Sequence, residues 1–282
     1  MSRALRPVPP SHMRATLRRS AGVGQLFALA VDTGAAVDTA AGEPAWRRHE
    51  ELLGPSGTEL TSVIDAVRGQ LGGGERRVAA SMFVMGYATR LLAPALAGML
   101  LDHRLPDLRP TRVRWRYLPG EGLLLCCPAA AGWEPASGAA GVSPALLERL
   151  RVDLVDGHLA PLLDAVRGVV PVSSALLWGN VASSAAGALR MLALHGAGTV
   201  AECESLGERL LAAPPLSGTG QLAVRSRREV RQLFFVRRNC CLYYRLPGGG
   251  KCGDCVLLDA GVRERQWQDA LRAADDPDPT HG

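Results

Sequence analysis

An α+β fold with a mainly helical body is predicted by three observations. Apolar residues recur at spacings of three and four along most of the chain, as in "LTSVIDAVRGQL". One stretch breaks that period: Val113, Trp115 and Tyr117 alternate with Arg112, Arg114 and Arg116, which is the pattern of a strand with one apolar face. A short segment near the end gathers four of the seven cysteines.

The elements follow in order. The prolines at 7, 9 and 10 make a stiff start, and a helix follows from Ser11. Residues 33–44, "TGAAVDTAAGEP", are small and polar and are predicted to loop. From Trp46 to about Leu101 the pattern is helical, with "GGG" at 72–74 dividing it before a long helix. "PDLRP" at 106–110 ends this region. The strand at 112–117 turns at "PGEG" and returns as the buried "LLLCC", giving a β-hairpin. Residues 129–143 are a loop, and Ser143 caps a second helical region. "PALLERLRVDL" suits helix or strand. "GHLAPLLDAVRGV", "SSALLWGNVASSAAGALRMLALHG" and "TVAECESLGERLLAA" are helices, the second closed by His195-Gly196. "PPLSGTG" is a loop, "RREVRQLFFVRRNCCLYYRL" is strand-like, and "VRERQWQDALRAA" is a closing helix. The expected organisation is a body over 1–225, a cysteine-bearing segment over 226–275 and a disordered tail over 276–282.

Composition narrows the function classes. The 47% hydrophobic and 21% charged fractions are those of a globular chain. No segment reaches the roughly 18 uncharged apolar residues of a membrane span. The closest, residues 82–101, contains Arg90 and reads as a buried helix, so no transmembrane segment is expected; peripheral membrane association stays open. The net charge is +5, with one lysine, Lys251, against 31 arginines. Such a surface attracts anions and acidic proteins. The arginines are dispersed and no nucleic-acid motif is present, so no nucleic-acid partner is expected. Near the start, "MRATLRRSAGVGQLFALAV" resembles an export signal, but Asp32 ends its apolar part early and no small-residue cleavage site follows. The expected compartment is therefore the cytoplasm, where thiols stay reduced and clustered cysteines point to metal.

The clustered cysteines are Cys240, Cys241, Cys252 and Cys255, within "RRNCCLYYRLPGGGKCGDC". Thiolates select zinc or iron–sulfur. A Cys-x-x-Cys turn aims two sulfurs at one site, with Gly253 expected to permit the tight backbone. "LPGGGK" brings the two halves together. Zinc sites space paired ligands by two to four residues, whereas the adjacent pair strains to meet one ion. A two-iron cluster offers two irons to four cysteines. The residues alone favour the iron–sulfur cluster over a zinc staple and over a reactive dithiol.

"RRNCCLYYRLPGGGKCGDCVLL" resembles the C-terminal signature of the FhuF-type ferric siderophore reductase family, with its Cys-Cys-x10-Cys-x2-Cys pattern. "LLWGNVASSAAGALRML" resembles that family's segment around a Trp-Gly-Asn. The resemblance covers the last 110 residues well and the rest loosely. It implies a 2Fe-2S cluster on Cys240, Cys241, Cys252 and Cys255. It also implies a cytoplasmic oxidoreductase acting on metal ions, which reduces iron(III) in hydroxamate-type siderophores and releases iron(II). No nucleotide fingerprint is present, so electrons would come from an external donor, a ferredoxin or an NAD(P)H-dependent reductase. The alternatives are a zinc-stapled binding module and a siderophore-binding accessory protein.

Substrate contacts are expected from Trp178, Asn180, Arg237, Arg238, Tyr243 and Arg245, with Tyr244 beside them. These offer aromatic walls and donors beside the cluster motif. Lys251 adjoins Cys252 and reads either as an accident of composition or as a charge placed to raise the cluster potential. Cys126, Cys127 and Cys203 read as core residues. The six histidines are scattered and form no ligand set.

Overall fold

The computed structural model describes residues 4–31, 44–136 and 141–275. The tail over 276–282 and nearly all of the predicted loop over 33–44 lie outside the described residues, as does part of the loop over 129–143.

Eight helices are described: α1 Pro10–Ala21, α2 Thr58–Gln70, α3 Arg76–Asp102, α4 Pro144–Leu150, α5 Ala160–Val169, α6 Ser174–Leu194, α7 Val200–Leu211 and α8 Ala260–Asp275. Nine short strands accompany them: β1 Leu5–Pro7, β2 Ala30–Val31, β3 Arg47–Arg48, β4 Leu105–Pro106, β5 Arg114–Leu118, β6 Gly122–Cys127, β7 Gly132–Pro135, β8 Gly220–Arg227 and β9 Val230–Arg237. Among the described residues they form three small sheets: β1-β7-β4, β2-β6-β5-β3 and the antiparallel pair β8-β9. This is the α+β class that the mixed periodicity predicts.

The predicted hairpin is β5-β6, with Trp115 opposite Leu125 and Tyr117 opposite Leu123. "PALLERLRVDL" resolves as helix: α4 runs without a break into a π-helical stretch, Arg151–Leu159, and then α5. The strand-like run before the cysteines is half of a hairpin. Its partner β8 went unread, because Gln221, Ala223 and Val224 alternate too weakly to signal a strand. The predicted boundary at 225/226 falls inside β8.

The core forms around α3 and α6. α3 is the one described helix long and apolar enough to cross a membrane, and most of it is buried in the protein. Leu91, Leu92, Leu96 and Met99 on it are closed to solvent. α6 presents Gly179, Ala182, Ala185, Ala186 and Ala188. Small side chains let two helices approach closely, and interior packing at crystal density then fixes their register. Hydroxyls cross the seam: Thr89 donates to Ser184 Oγ at 3.0 Å, and Ser184 donates to the Met85 carbonyl at 3.1 Å.

Two of the scattered histidines meet in this body. His158 Nδ1 lies 3.1 Å from the Leu108 carbonyl and therefore donates to it. Its Nε2 then accepts from the Tyr87 hydroxyl at 2.8 Å, and that oxygen accepts from His49 Nδ1 at 2.8 Å. Both imidazoles are buried, which lowers His49 to about 4 and holds His158 well below its ordinary value.

The C-terminal hairpin seats the cysteine segment on this body. Leu233, Phe234 and Phe235 of β9 are buried, and β9 lies against α6 and α7. Phe234 stacks on Trp267 of α8 at 4.8 Å between ring centroids. The end of β9 is thereby fixed beside the first turns of α6.

Candidate metal centre

β9 stops at Arg237, whose backbone N–H donates 3.0 Å to the Asp254 carbonyl in the Cys-x-x-Cys turn. The next N–H, of Arg238, donates 2.8 Å to the Thr219 carbonyl. Strand pairing is thus handed over to the loop, and Cys240 and Cys241 follow at once. Leu242 then takes a left-handed backbone, φ 67°. That conformation costs a non-glycine residue roughly 1–2 kcal/mol. It points the Leu242 N–H at Cys240 Sγ, 3.3 Å away, as expected where strain serves a site.

The chain returns through Tyr243–Arg245, a short 3₁₀ turn, and the glycine run. Gly249 is indispensable here, since a Cβ would sit 2.3 Å from the Tyr243 carbonyl oxygen. Gly253, expected to be the critical glycine, has open space at its Cβ position and no left-handed backbone. The Cys-x-x-Cys turn is closed instead by the Cys255 N–H donating 2.9 Å to the Cys252 carbonyl. Arg263 of α8 donates 2.9 Å to the Cys255 carbonyl and ties the turn down.

Folding back brings the Cys252 thiol against Cys241, where the two share a hydrogen bond. That bond lowers Cys241 to about 6, helped by backbone N–H groups and the Arg237 charge. The same bond raises Cys252, which keeps the proton. Cys241 and Cys255 are buried, Cys240 is partly buried, and Cys252 is exposed. Among the described residues no three Cys, His, Asp or Glu side chains gather closely enough to hold a single ion as they stand. The donor set nonetheless suits an anionic sulfur-ligated group. It combines four thiols from two loops, an N–H already aimed at one sulfur, and a thiol that ionises readily.

A single-file network reaches the site from the body. Arg237 Nε donates 3.0 Å to the Asn239 carbonyl, and its Nη2 donates to Asn180 Oδ1. Asn180 Nδ2 donates to the Ser81 carbonyl at 2.9 Å and to its Oγ at 2.8 Å. Ser81 Oγ donates 2.7 Å to the Cys241 carbonyl, across 160 positions of sequence. Ser183, one turn along α6 from Asn180, donates 3.0 Å to the Asp254 carboxylate. Burial raises Asp254 above its ordinary range, with Ser183 and Arg237 opposing.

The sequence-derived residues separate into two groups. Asn180 is 0% exposed and Arg237 1% exposed, so both lie inside the scaffold and make hydrogen bonds there. They hold up the cysteine loop and leave no surface for a large ligand. Trp178 is partly buried against the core. Arg238, Tyr243, Tyr244 and Arg245 are exposed on the loop. Arg245 pairs with Glu75 at the start of α3, 2.6 Å away, clamping the loop to the body. Lys251 is exposed and donates 3.0 Å to the Leu257 carbonyl. A cleft of about 220 Å³ lies beyond the Ser183–Asp254 contact, lined by Leu26, Phe27, Met85, Thr89, Ser183 and Met191. None of the expected substrate residues lines it. Ser81, Ser183, Asp254 and Glu75 gave no sequence signal, because each is recognisable only once the loop is packed on the helices.

Comparison with known proteins agrees with this geometry. The profile described as "FhuF 2Fe-2S C-terminal domain" matches residues 237–257. The profile "Ferric iron reductase FhuF-like transporter" matches residues 81–233, more than half of the chain. The chain belongs to the FhuF-like family. Its C-terminal segment is the family's 2Fe-2S domain, so the cofactor is a 2Fe-2S cluster and the zinc staple is set aside. A protein named "Ferric siderophore reductase" from Escherichia coli (strain K12) is 24% identical over 184 residues, which is 65% of this chain and 67% of that protein. The geometry also explains the Trp-Gly-Asn segment of this FhuF-like chain. A Cβ at Gly179 would lie 3.2 Å from Asn239 Cβ and 3.5 Å from Arg237 Nη2. The glycine therefore lets α6 touch the residues that lead into Cys240.

Proposed function

We propose that this chain is a ferric-siderophore reductase, with Cys240, Cys241, Cys252 and Cys255 as the ligands of its cluster. When bound, the 2Fe-2S cluster supplies one electron at a time. The substrate iron(III) takes that electron and becomes iron(II). Hydroxamate oxygens grip iron(II) far more weakly than iron(III), so the metal leaves and no covalent bond in the carrier is broken. The reading calls for hydroxamate-type siderophores, a cytoplasmic setting and an external donor, a ferredoxin or an NAD(P)H-dependent reductase. Peripheral contact with a membrane is compatible with it.

The observation that carries this reading is the asymmetry of the thiol set: Cys241 and Cys255 are enclosed while Cys252 is open to solvent. A buried side protects the cluster, and an open edge lets a bulky complex come within electron-transfer distance. Close to the cysteines in sequence, Arg238 offers an exposed side chain, and Tyr243 and Tyr244 offer exposed aromatic side chains. We assign these as the surface that receives the ferric complex, with Arg245 and the half-buried Trp178 framing it. The cluster-binding unit is the β8-β9 hairpin, the cysteine loop and α8, starting at Gly220.

A single-turnover experiment tests the reading. Holoprotein with its cluster chemically reduced is mixed anaerobically with a ferric trihydroxamate and a chromogenic iron(II) chelator. The reading expects the cluster spectrum to return to the oxidised form while one iron(II) is captured per cluster. A protein that binds the complex while its cluster stays reduced would be an accessory binder, and the reading would fall.

A further inference from the structure

Arg237 is an unusual place for a charge. It ends a strand, is 1% exposed, and among the described residues forms no ion pair with a carboxylate. Its Nε and Nη2 are used by the Asn239 carbonyl and Asn180 Oδ1. Its Nη1 is buried and has no hydrogen-bond partner. A guanidinium cannot shed its proton to escape burial. It needs a negative neighbour, and a lone buried cation is costly. The Asp254 carboxylate accepts from Ser183 and, among the described residues, forms no ion pair with Arg237. The side chain instead reaches the Asn239 carbonyl beside Cys240, and its backbone N–H reaches the Asp254 carbonyl inside the Cys-x-x-Cys turn, so both halves of the cysteine set lie around it. A cluster on four thiolates is anionic and gains one more negative charge on reduction.

We propose that Arg237 is the buried counter-charge of the cluster and that Asn180 and Ser81 are positioning residues that hold it there. The inference rests on the cluster assignment of the four cysteines and not on the identity of the substrate. The unpaired Nη1–H is the donor left for a cluster sulfur, and hydrogen bonds and charge at the sulfurs set iron–sulfur potentials. A fixed positive charge favours the reduced cluster over the oxidised one, so it raises the midpoint potential. The network has one polarity throughout. Arg237 donates to Asn180, Asn180 to Ser81, and Ser81 to the carbonyl of a cluster cysteine. Asn180 is suited to the middle because it accepts on one atom and donates on the other. An aspartate there would pair with Arg237 and cancel the charge. The Trp-Gly-Asn segment then has a redox role at a distance, with Gly179 giving the clearance and Asn180 the orientation.

The test uses the holoprotein and three variants: Arg237→Gln, Arg237→Lys and Asn180→Asp. Cluster content is read from iron, sulfide and visible absorption, and the midpoint potential from dye equilibration with electron paramagnetic resonance. Arg237→Gln should lower the reduced-to-oxidised ratio at fixed potential about tenfold, equivalent to 59 mV for one electron. Arg237→Lys should restore most of it, and Asn180→Asp should shift it in the same direction as Gln. A cluster-loaded Arg237→Gln protein with the wild-type potential would overturn the proposal. If Arg237→Gln does not hold its cluster, Asn180→Asp decides, and an unmoved potential there overturns it equally. Wild-type protein purified anaerobically without iron or sulfide would contradict the cluster assignment itself, a separate outcome.

Discussion

The chain contains two Cys-Cys pairs, and the fold treats them in opposite ways. Cys126 and Cys127 end β6, an inner strand of the four-stranded sheet, and are 1% and 2% exposed. In an extended strand neighbouring side chains point to opposite faces. The two sulfurs are thus parted, and Cys127 packs as a small hydrophobe in the core. Burial pushes the Cys127 thiol up to about 12, with Cys126 and Asp107 adding to the effect. Cys240 and Cys241 sit just past the end of β9, where the left-handed Leu242 bends the chain. An N–H points at Cys240 Sγ, and a second thiol and a buried guanidinium act on Cys241. The dipeptide is the same. On the proposed ligand assignment, what sets Cys240-Cys241 apart is the turn after it, the donors around it and a second pair brought back by a glycine loop.

The widest gap between the pairs should be in reactivity. In cluster-free protein at pH 7, Cys241 should be alkylated by iodoacetamide several orders of magnitude faster than Cys127, because the thiolate is the nucleophile. The advantage of Cys241 should shrink as pH rises above about 6, because Cys241 is then already ionised while Cys127 is still gaining thiolate. Peptide mass spectrometry reads both sites in one sample, and equal labelling of the two would erase the electrostatic contrast.

The second expectation concerns the loop that brings the pairs together. Gly249→Ala places a methyl group 2.3 Å from the Tyr243 carbonyl oxygen, whereas the Cβ position of Gly250 is open. Gly249→Ala should lose most of the visible absorption per chain and Gly250→Ala should keep it. Full colour in Gly249→Ala would show that Cys252 and Cys255 reach their places by another route.

A third concerns the body that houses Cys127. Unfolding returns His49 and His158 to an ordinary range near 6.5. The unfolded chain therefore binds more protons below that pH, and stability falls as pH drops from about 6.5 toward 4. For His49 the depression corresponds to roughly 3 kcal/mol once fully expressed. Urea titrations of cluster-free protein at pH 7 and pH 5 should show this loss. A midpoint independent of pH would mean that the histidines are accessible in the native state.

The smallest effect should come from Lys251. It is exposed and already donates to the Leu257 carbonyl. Water and salt screen such a charge. Lys251→Glu should move the cluster potential downward, by less than Arg237→Gln does. A larger shift from Lys251→Glu would reverse the ranking of buried over exposed charge.

Much of this was legible in the sequence. The helices of the body follow from apolar spacing, and the β5-β6 hairpin from the alternation around Trp115. Cys240, Cys241, Cys252 and Cys255 announce themselves by spacing, and Cys126-Cys127 by the apolar strand that precedes them. The support of the site was not legible. Ser81 is one small residue in a helix of small residues, and its bond to the Cys241 carbonyl depends on how α3 packs. Arg237 and Asn180 have donors and acceptors that suit a ligand equally well. Burial alone turns them from surface contacts into scaffold. β8 was missed because a half-exposed hairpin strand carries little apolar alternation.

Iron and acid-labile sulfide per chain, measured after anaerobic purification of two double variants, test the central claim most directly. Cys126→Ala with Cys127→Ala should retain the two irons and two sulfides of a 2Fe-2S cluster. Cys240→Ala with Cys241→Ala should retain neither. Iron and sulfide held by the second variant, or lost from the first while its helical content stays native, would contradict the assignment.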